Sequence, residues 1–169
     1  MVVAAEQTAG KGRHGHSWYS PPEEGLYVSY LLFPDWDVVR APYLTMIAGL
    51  AVHRSILDEG GEEGDLILKP PNDVLIRNRK VCGILIEIST SRNRITWVIV
   101  GIGVNLYQRI FPDAIESRAT SLDLEGISIS DPLEFCDRVT EHLETGYLRL
   151  ERGQWQEVQS QFEGLSKLV

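Results

Sequence analysis

Short apolar runs separated by polar or glycine-rich stretches occupy most of the chain up to residue 105. The runs are rich in Val, Ile, Leu and Tyr, and the run that begins at Gly25 partly alternates between apolar and polar positions. Runs of this length and composition, bounded by turn residues, are typical of β-strands. The pattern predicts strands at Val2–Ala5, Gly25–Phe33, Leu66–Lys69, Val74–Ile76, Lys80–Ile88 and Ile95–Val104.

Apolar residues recur at three- and four-residue steps in other segments, which predicts helices. The first helix is expected from Pro42, a residue suited to the first helical turn, to about Asp58. A second helix should begin at Asp131-Pro132, with Asp131 as its N-cap, and its apolar stripe reaches Leu150. The last amphipathic piece carries Trp155, Val158 and Phe162.

The order of these elements predicts an α+β fold, with a mixed, mostly antiparallel sheet and helices packed on one face. Residues 107–130 read as loop and short helix. The chain shows no internal repeat or low-complexity tract, and its 169 residues suffice for one core. Residues 1–169 are therefore predicted to form a single domain.

Composition narrows the function classes. The net charge of -8 argues against general nucleic-acid binding, which needs a basic face. No apolar run is long enough to span a bilayer, and the N-terminus has no signal-peptide pattern. The two cysteines, Cys82 and Cys136, do not form a disulfide framework, and Cys82 reads as a small buried apolar residue. These features predict a cytoplasmic protein without a membrane partner.

A glycine-rich basic segment, Gly10-Lys11-Gly12-Arg13-His14-Gly15-His16-Ser17-Trp18, follows the first predicted strand. Glycines allow positive φ angles and a close approach of the backbone to a ligand. On an acidic chain, a basic glycine loop is where an anion such as a phosphate or an adenylate would bind. The segment alone is also compatible with a solvated surface loop.

A predicted β-hairpin contains further candidate chemistry. Two apolar runs flank the polar turn Arg77-Asn78-Arg79; Asn72 and Asp73 stand at the start of the first strand, and Lys80 and Gly83 lie on the second. A later strand ends in Gly101-Ile102-Gly103-Val104-Asn105. Glycine inside a strand often marks a close approach to the backbone.

Together these segments resemble the biotin–protein ligases. The shared order is Glu-Gln-Thr-Ala-Gly-basic-Gly-Arg-x-Gly-x-x-Trp, Lys-x-Pro-Asn-Asp-Val, Lys-Val-x-Gly-Ile-Leu-Ile-Glu and Gly-Ile-Gly-x-Asn, across residues 4–125. The resemblance implies a biotin/lipoate ligase-like catalytic domain that uses ATP, biotin and Mg²⁺. It further implies biotinyl-5′-AMP as the intermediate, a lysine of a biotin carboxyl carrier protein as the acceptor, and a homodimer.

The same resemblance implies roles for individual residues. Lys80 would lie between the biotin carboxylate and the α-phosphate, Arg13 would bind phosphate or the adenylate, and Asp73 would orient Lys80 and assist the incoming amine. Gln7 and Gly10 would face the biotin ring, and Gly83 and Gly103 would leave room for the bicyclic ring and its tail. Lys11 and Gly12 belong to the basic loop, and Trp18 would lie over the adenine or the loop base. Asn72 would lie beside Lys80, and Asn105 would meet the nucleotide phosphates and Mg²⁺.

The chain departs from the family pattern at Lys11 and His16, where arginine is usual, and at Pro70, where tryptophan is usual. The family's Ser/Thr-Asn element, which helps to hold the biotin head group, would lie before Met1, so weak biotin binding is expected of these 169 residues. The family's small C-terminal barrel and the DNA-binding domain of its regulatory members are also expected to be missing.

Two alternatives remain open. A lipoate–protein ligase has similar adenylate chemistry but needs an elongated apolar slot. A non-catalytic module would retain the fold and bind biotin or nucleotide without turnover. The four histidines show no metal-ligand spacing, so no protein metal site is predicted.

Overall fold

A computed structural model describes residues 1–166. Six strands form one sheet in the order β1-β2-β6-β5-β4-β3, and every pair of neighbouring strands is antiparallel. The strands are β1 (Val2–Ala4), β2 (Gly25–Leu32), β3 (Leu66–Lys69), β4 (Asp73–Ile76), β5 (Arg79–Ser91) and β6 (Arg94–Asn105). The helices are α1 (Ala41–Asp58), α2 (Asp113–Glu116), α3 (Pro132–Glu151) and α4 (Trp155–Gly164).

This architecture confirms the predicted α+β fold, and the predicted strands and main helices are all present, with ends shifted by a few residues. The turn between β4 and β5 is shorter than predicted, because Arg79 already pairs with Ile76 and only Arg77 and Asn78 form the turn. Both have positive φ, of 47° and 65°, the conformation that a two-residue hairpin turn requires. Asp131 caps α3 as expected, its side chain accepting a hydrogen bond from the amide of Leu133.

The two faces of the sheet have different composition because side chains alternate along each strand. One face is apolar and packs against the helices: Leu68 and Ile84, for example, lie against α1 at Gly49. The core on this side comprises Leu26, Val28, Tyr30, Leu68, Val74, Cys82, Ile84, Val98, Val100, Ile102 and Val104 from the sheet, with Leu44, Ile47, Phe135, Val139 and Val158 from the helices.

The opposite face of β2, β5 and β6 carries no helix among the described residues. Its side chains alternate with the core residues, and neighbours in register include Tyr27, Gly103 and Gly83 in one row and Ser29, Gly101 and Leu85 in the next. We call this surface the open face. The segment between β1 and β2 lies over one end of it.

Candidate active site

Residues 10–18, the glycine loop, form a tight reversal rather than a free coil. The amide of Trp18 donates to the carbonyl of Gly10 at 2.9 Å, and the amide of Gly12 donates to the carbonyl of His16 at 2.6 Å. At the tip, His14 and Gly15 have left-handed backbones, with φ of 56° and 79°. The loop therefore projects its basic side chains from a defined backbone, while Lys11 and Arg13 stay exposed.

Trp18 rests on two glycines of the open face. A Cβ at Gly103 would lie 2.5 Å from the indole Nε1, and a Cβ at Gly83 would lie 2.9 Å from the ring carbon Cζ3. Because the two glycines are partners in the β5–β6 register, they form a shallow strip on which the ring can lie. The indole ring of Trp18 therefore occupies the space above Gly83 and Gly103. The resemblance implied that this space would accept the bicyclic ring and tail of the ligand.

Lys80 lies beside this strip and contacts Asp73. Its Nζ is 2.6 Å from Oδ1 of Asp73 and 5.2 Å from the centre of the Trp18 ring. A bulge in the β4–β5 pairing, between Val74 and Leu75, sets the local register at this position. The lysine side chain is 31% exposed, so its ammonium group remains accessible to a ligand.

Arg13 and Asn72 link the glycine loop to the hairpin. Nη1 of Arg13 donates to Oδ1 of Asn72 at 3.3 Å, and Nδ2 of Asn72 donates to the carbonyl of Ile84 at 2.9 Å. Asn72 therefore holds the arginine toward the open face. The structure in this way brings together three residues that are far apart in sequence.

Gln7 and Gly10 lie at the base of the loop. Oε1 of Gln7 accepts a hydrogen bond from the buried hydroxyl of Ser20 at 2.8 Å. A Cβ at Gly10 would lie 2.6 Å from the Trp18 carbonyl oxygen, so a glycine is required there for the loop to close. Ser20 gave no signal in the sequence, because its contact with Gln7 forms only when the loop folds back.

A cavity of about 210 Å³ opens between the glycine loop and the open face. It collects most of the residues that the resemblance implied: Gln7, Lys11, Gly12, Arg13, Trp18, Asn72, Lys80, Gly83 and Gly103. Gly10 and Asp73 contact this set from behind, through Trp18 and Lys80.

Other residues of the cavity wall were not predicted. They lie on one face of three strands and include Ser29, Leu85, Glu87, Ile99 and Gly101. The two-residue alternation along β2, β5 and β6 could have found them, since they share a face with Gly83 and Gly103.

Asn105 does not line this cavity, and its expected contact with the nucleotide phosphates stays a prediction. It is 4% exposed, its Nδ2 donates to the carbonyl of Thr120 at 2.8 Å, and its Oδ1 accepts from Nε2 of Gln108 at 3.4 Å. Its Nδ2 is also 3.5 Å from the carbonyl oxygen of Lys80. Asn105 therefore supports the backbone at Lys80 from inside the protein.

Within residues 1–166, no group of three or more His, Cys, Asp or Glu side chains could hold a metal ion. Cys82 is fully buried, as predicted, and burial raises the pKa of its thiol, which disfavours the reactive thiolate. No helix in the same part of the chain is long and apolar enough to cross a membrane.

Comparison with known sequences supports the geometry. The profile of the Biotin/lipoate A/B protein ligase family matches residues 1–105, which include the glycine loop, the β4–β5 hairpin and the glycine strip. This chain belongs to that family. The match ends at Asn105, so the remaining residues, including the segment at 118–125 that contacts Lys80, lie outside the matched region.

Individual members of the family are also similar. The chain is 41% identical over 124 residues to the bifunctional ligase/repressor BirA of Bacillus subtilis, covering 72% of this chain and 38% of that protein. It is 39% identical over 140 residues to the biotin–[acetyl-CoA-carboxylase] ligase of Paracoccus denitrificans, covering 80% and 58% of the two chains. The chain thus matches only part of the length of these relatives.

A solved structure shows the same fold over nearly the whole chain. The biotin protein ligase of Aquifex aeolicus in complex with biotin and ATP superposes with a TM-score of 0.80 at 31% identity. The superposition covers 97% of this chain and 67% of the Aquifex protein. The predicted biotin/lipoate ligase-like fold is therefore confirmed.

Proposed function

We propose that this chain is the catalytic domain of an ATP-dependent biotin–protein ligase. The reaction forms biotinyl-5′-AMP and then transfers biotin to a lysine of a carboxyl carrier protein. One observation carries the proposal: Lys80, whose ammonium group is paired with Asp73 and still partly exposed, and Arg13 converge on a cavity lined by Gly83 and Gly103. The names of the similar Bacillus and Paracoccus proteins support the same activity.

The first step brings two anions together. A carboxylate oxygen of biotin attacks the α-phosphorus of ATP, the bond from that phosphorus to the bridging oxygen breaks, and pyrophosphate leaves. Lys80 supplies a positive charge where the carboxylate and the α-phosphate meet, and such preorganised charge stabilises the transition state. Arg13 is suited to phosphate oxygens because its guanidinium group can donate two parallel hydrogen bonds.

The second step consumes the mixed anhydride. The amine of the carrier lysine attacks the acyl carbon, the bond to the AMP oxygen breaks, and the nitrogen loses a proton. Asp73 is the nearest carboxylate, 2.6 Å from Lys80 Nζ. We assign it to pairing with Lys80 in the first step and to receiving the proton of the carrier amine in the second.

The chain's residues provide no preformed carboxylate cluster for Mg²⁺ in the described region. Magnesium prefers phosphate oxygens and keeps several waters, with few protein ligands. We therefore assign Mg²⁺ to the substrate, as the metal complex of ATP. The cytoplasmic location remains a prediction.

The proposed homodimer concerns the edges of the sheet. At the β3 edge, the amide of Leu68 already donates to the carbonyl of Leu165 at 3.0 Å. The other edge, β1, is short and exposes Val2 and Val3. Unpaired edges can accept a second chain, and sedimentation at several concentrations tests the dimer, with a monomer at the highest concentration refuting it.

Pyrophosphate exchange into ATP tests the activity and separates the alternatives. Biotin should drive exchange, and lipoate at the same concentration should not. Exchange driven by lipoate instead would identify a lipoate ligase. Biotin or ATP binding by calorimetry without any exchange would identify a non-catalytic module.

A further inference from the structure

The backbone of Lys80 is held by a segment that is remote in sequence. Pairing between β5 and β6 begins only at Cys82 and Val104, so β6 has ended beside Lys80. Residues 118–120 take the place of β6 there. The amide of Lys80 donates to the carbonyl of Arg118 at 2.8 Å, and the amide of Thr120 donates to the carbonyl of Lys80 at 2.9 Å.

A buried carboxylate joins this segment to the hairpin. The side chain of Glu125 is only 1% exposed and accepts hydrogen bonds from Arg79 Nη2 at 2.7 Å and Arg77 Nη1 at 3.2 Å. Its Oε1 also accepts from Oγ1 of Thr120 at 2.6 Å. Its partners thus include Arg79, which precedes Lys80 in the chain, and Thr120, which bonds the Lys80 carbonyl.

A buried carboxylate is stable only with its partners in place, since desolvation of the charge must be compensated. Asn105 also holds the Thr120 carbonyl. Release of Glu125 would therefore loosen residues 118–120 against the hairpin and weaken both backbone hydrogen bonds to Lys80. Asp73 would then hold only the tip of the side chain. Displacement of a reacting group by about 1 Å can slow a reaction on the order of 10²-fold.

We propose that Glu125 is a positioning residue for Lys80: it clamps residues 118–120 against the β4–β5 turn and so fixes the lysine over the glycine strip. This inference rests on the proposed function of Lys80. Within residues 1–166, the side-chain partners of Glu125 are Arg77, Arg79 and Thr120, and none of them lines the cavity. We therefore expect its effect on the chemical step rather than on binding.

The first measurement compares Glu125→Gln with Glu116→Gln in biotin-dependent pyrophosphate exchange. Glu116 is exposed on α2 and forms no ion pair in the described structure, so it is a matched control. Glutamine at 125 keeps the shape but places an amide donor against arginine donors. We expect kcat to fall about 10- to 100-fold and the KM values for biotin and ATP to change by less than about threefold.

Rates are expressed per biotin site counted by calorimetry, so that a misfolded fraction cannot imitate the effect. Thr120→Val removes one hydrogen-bond partner of Glu125 and keeps the branched shape of the side chain. This variant replaces Glu125→Gln in the comparison if Glu125→Gln does not fold. It should lower kcat in the same way. The two changes should combine less than additively, because they release the same clamp.

Hydrogen exchange gives a readout that does not require activity. The amides of Lys80 and Thr120 should exchange faster in Glu125→Gln and Thr120→Val than in wild type or Glu116→Gln, while core amides of α1 stay protected. If the wild-type protein catalysed no pyrophosphate exchange, the proposed function would be refuted. Hydrogen exchange at the amides of Lys80 and Thr120 would still test whether Glu125 holds residues 118–120. Unchanged protection of Lys80 and Thr120, or a kcat equal to that of Glu116→Gln, would overturn the role of Glu125.

Discussion

The ammonium group of Lys80 has neighbours of three different kinds. It contacts the carboxylate of Asp73, lies 5.2 Å from the centre of the Trp18 ring, and would be 3.2 Å from a Cβ at Gly83. Asp73 balances its charge in the free protein, and the aromatic face adds a weaker attraction. A bound carboxylate and phosphate would therefore compete with Asp73 for the same lysine.

Replacement of Lys80 by methionine tests whether the positive charge of Lys80 promotes the first chemical step. Methionine keeps an unbranched side chain and removes only the ammonium group. We expect biotin-dependent pyrophosphate exchange to fall by at least about 10²-fold, the effect of removing one preorganised charge at the transition state. The thermal midpoint should change little, because Lys80 is partly exposed.

Arg92→Met is the control, since Arg92 lies in the exposed turn between β5 and β6, away from the cavity. It removes a positive charge of equal size from the same acidic protein. Exchange by Lys80→Met within a few-fold of that control would refute the role of Lys80.

The glycine loop and the strip beneath it behave as one element. Trp18 can lie on β5 and β6 only because Gly83 and Gly103 lack side chains. A loop closed in this way protects its own backbone, including the peptide bonds after Lys11 and Arg13. Ligand contacts should add to that closure, since binding offsets the entropy of ordering the loop.

Gly103→Ala should open the loop. The new Cβ would lie 2.5 Å from the Trp18 indole nitrogen, so the ring must move. Trypsin should then cut after Lys11 and Arg13 several times faster than in wild type, as followed by mass spectrometry of the released peptide. Biotin with ATP should slow cutting in wild type.

Gly101→Ala is the matched control, two residues earlier on the same face of β6. Its Cβ would approach nothing closer than the Leu85 carbonyl oxygen at 3.4 Å, and Trp18 is not among its neighbours. Equal cutting rates for the two variants would contradict the proposed seat of Trp18.

Local pattern predicted the elements well, because alternation and turn residues act over a few neighbours. The hairpin at 73–91 follows from two apolar runs and a turn whose Arg77 and Asn78 take positive φ. The pocket residues on the loop and hairpin followed from motif resemblance. The order of strands in the sheet did not follow from any local signal.

Long-range contacts account for what the sequence did not predict. No signal in the sequence indicated that the Asn105 side chain forms hydrogen bonds with Thr120 and Gln108 inside the protein. Glu125 and Ser20 gave no signal in the sequence, because their partners Arg79 and Gln7 lie many positions away along the chain. Pairings of this kind depend on how β5, β6 and the loop after β6 pack together. A short segment of sequence contains no information about that packing.

At the scale of the molecule, the two faces of the sheet have separate tasks. The helices bury one face and supply the stability of the core, while the open face carries the cavity. Substitutions in α1 should therefore change folding more than ligand chemistry. His53, a buried residue of α1, allows the contribution of this helix to stability to be measured through the pH dependence of unfolding.

His53 lies on α1 and is 3% exposed, and its Nε2 has no hydrogen-bond partner among residues 1–166. Burial lowers its pKa below the ordinary 6.5, with Glu63 opposing and Arg54 reinforcing the shift. The unfolded chain therefore takes up a proton at a higher pH than the folded protein. Stability from this group is present above about pH 6.5 and is lost as the pH falls toward the folded pKa, by at most about 1.4 kcal/mol per pH unit.

His53→Leu should reduce that pH dependence. Leucine has no proton to bind and removes a buried nitrogen without a partner, so the free energy of unfolding at pH 7 should stay equal or rise. Urea unfolding between pH 7 and 5 should show a shallower loss of stability than in wild type. All other ionisable side chains are the same in both proteins, so the difference between the two slopes isolates His53. An equal slope in wild type and His53→Leu would show that His53 takes up its proton in the folded state as readily as in the unfolded chain.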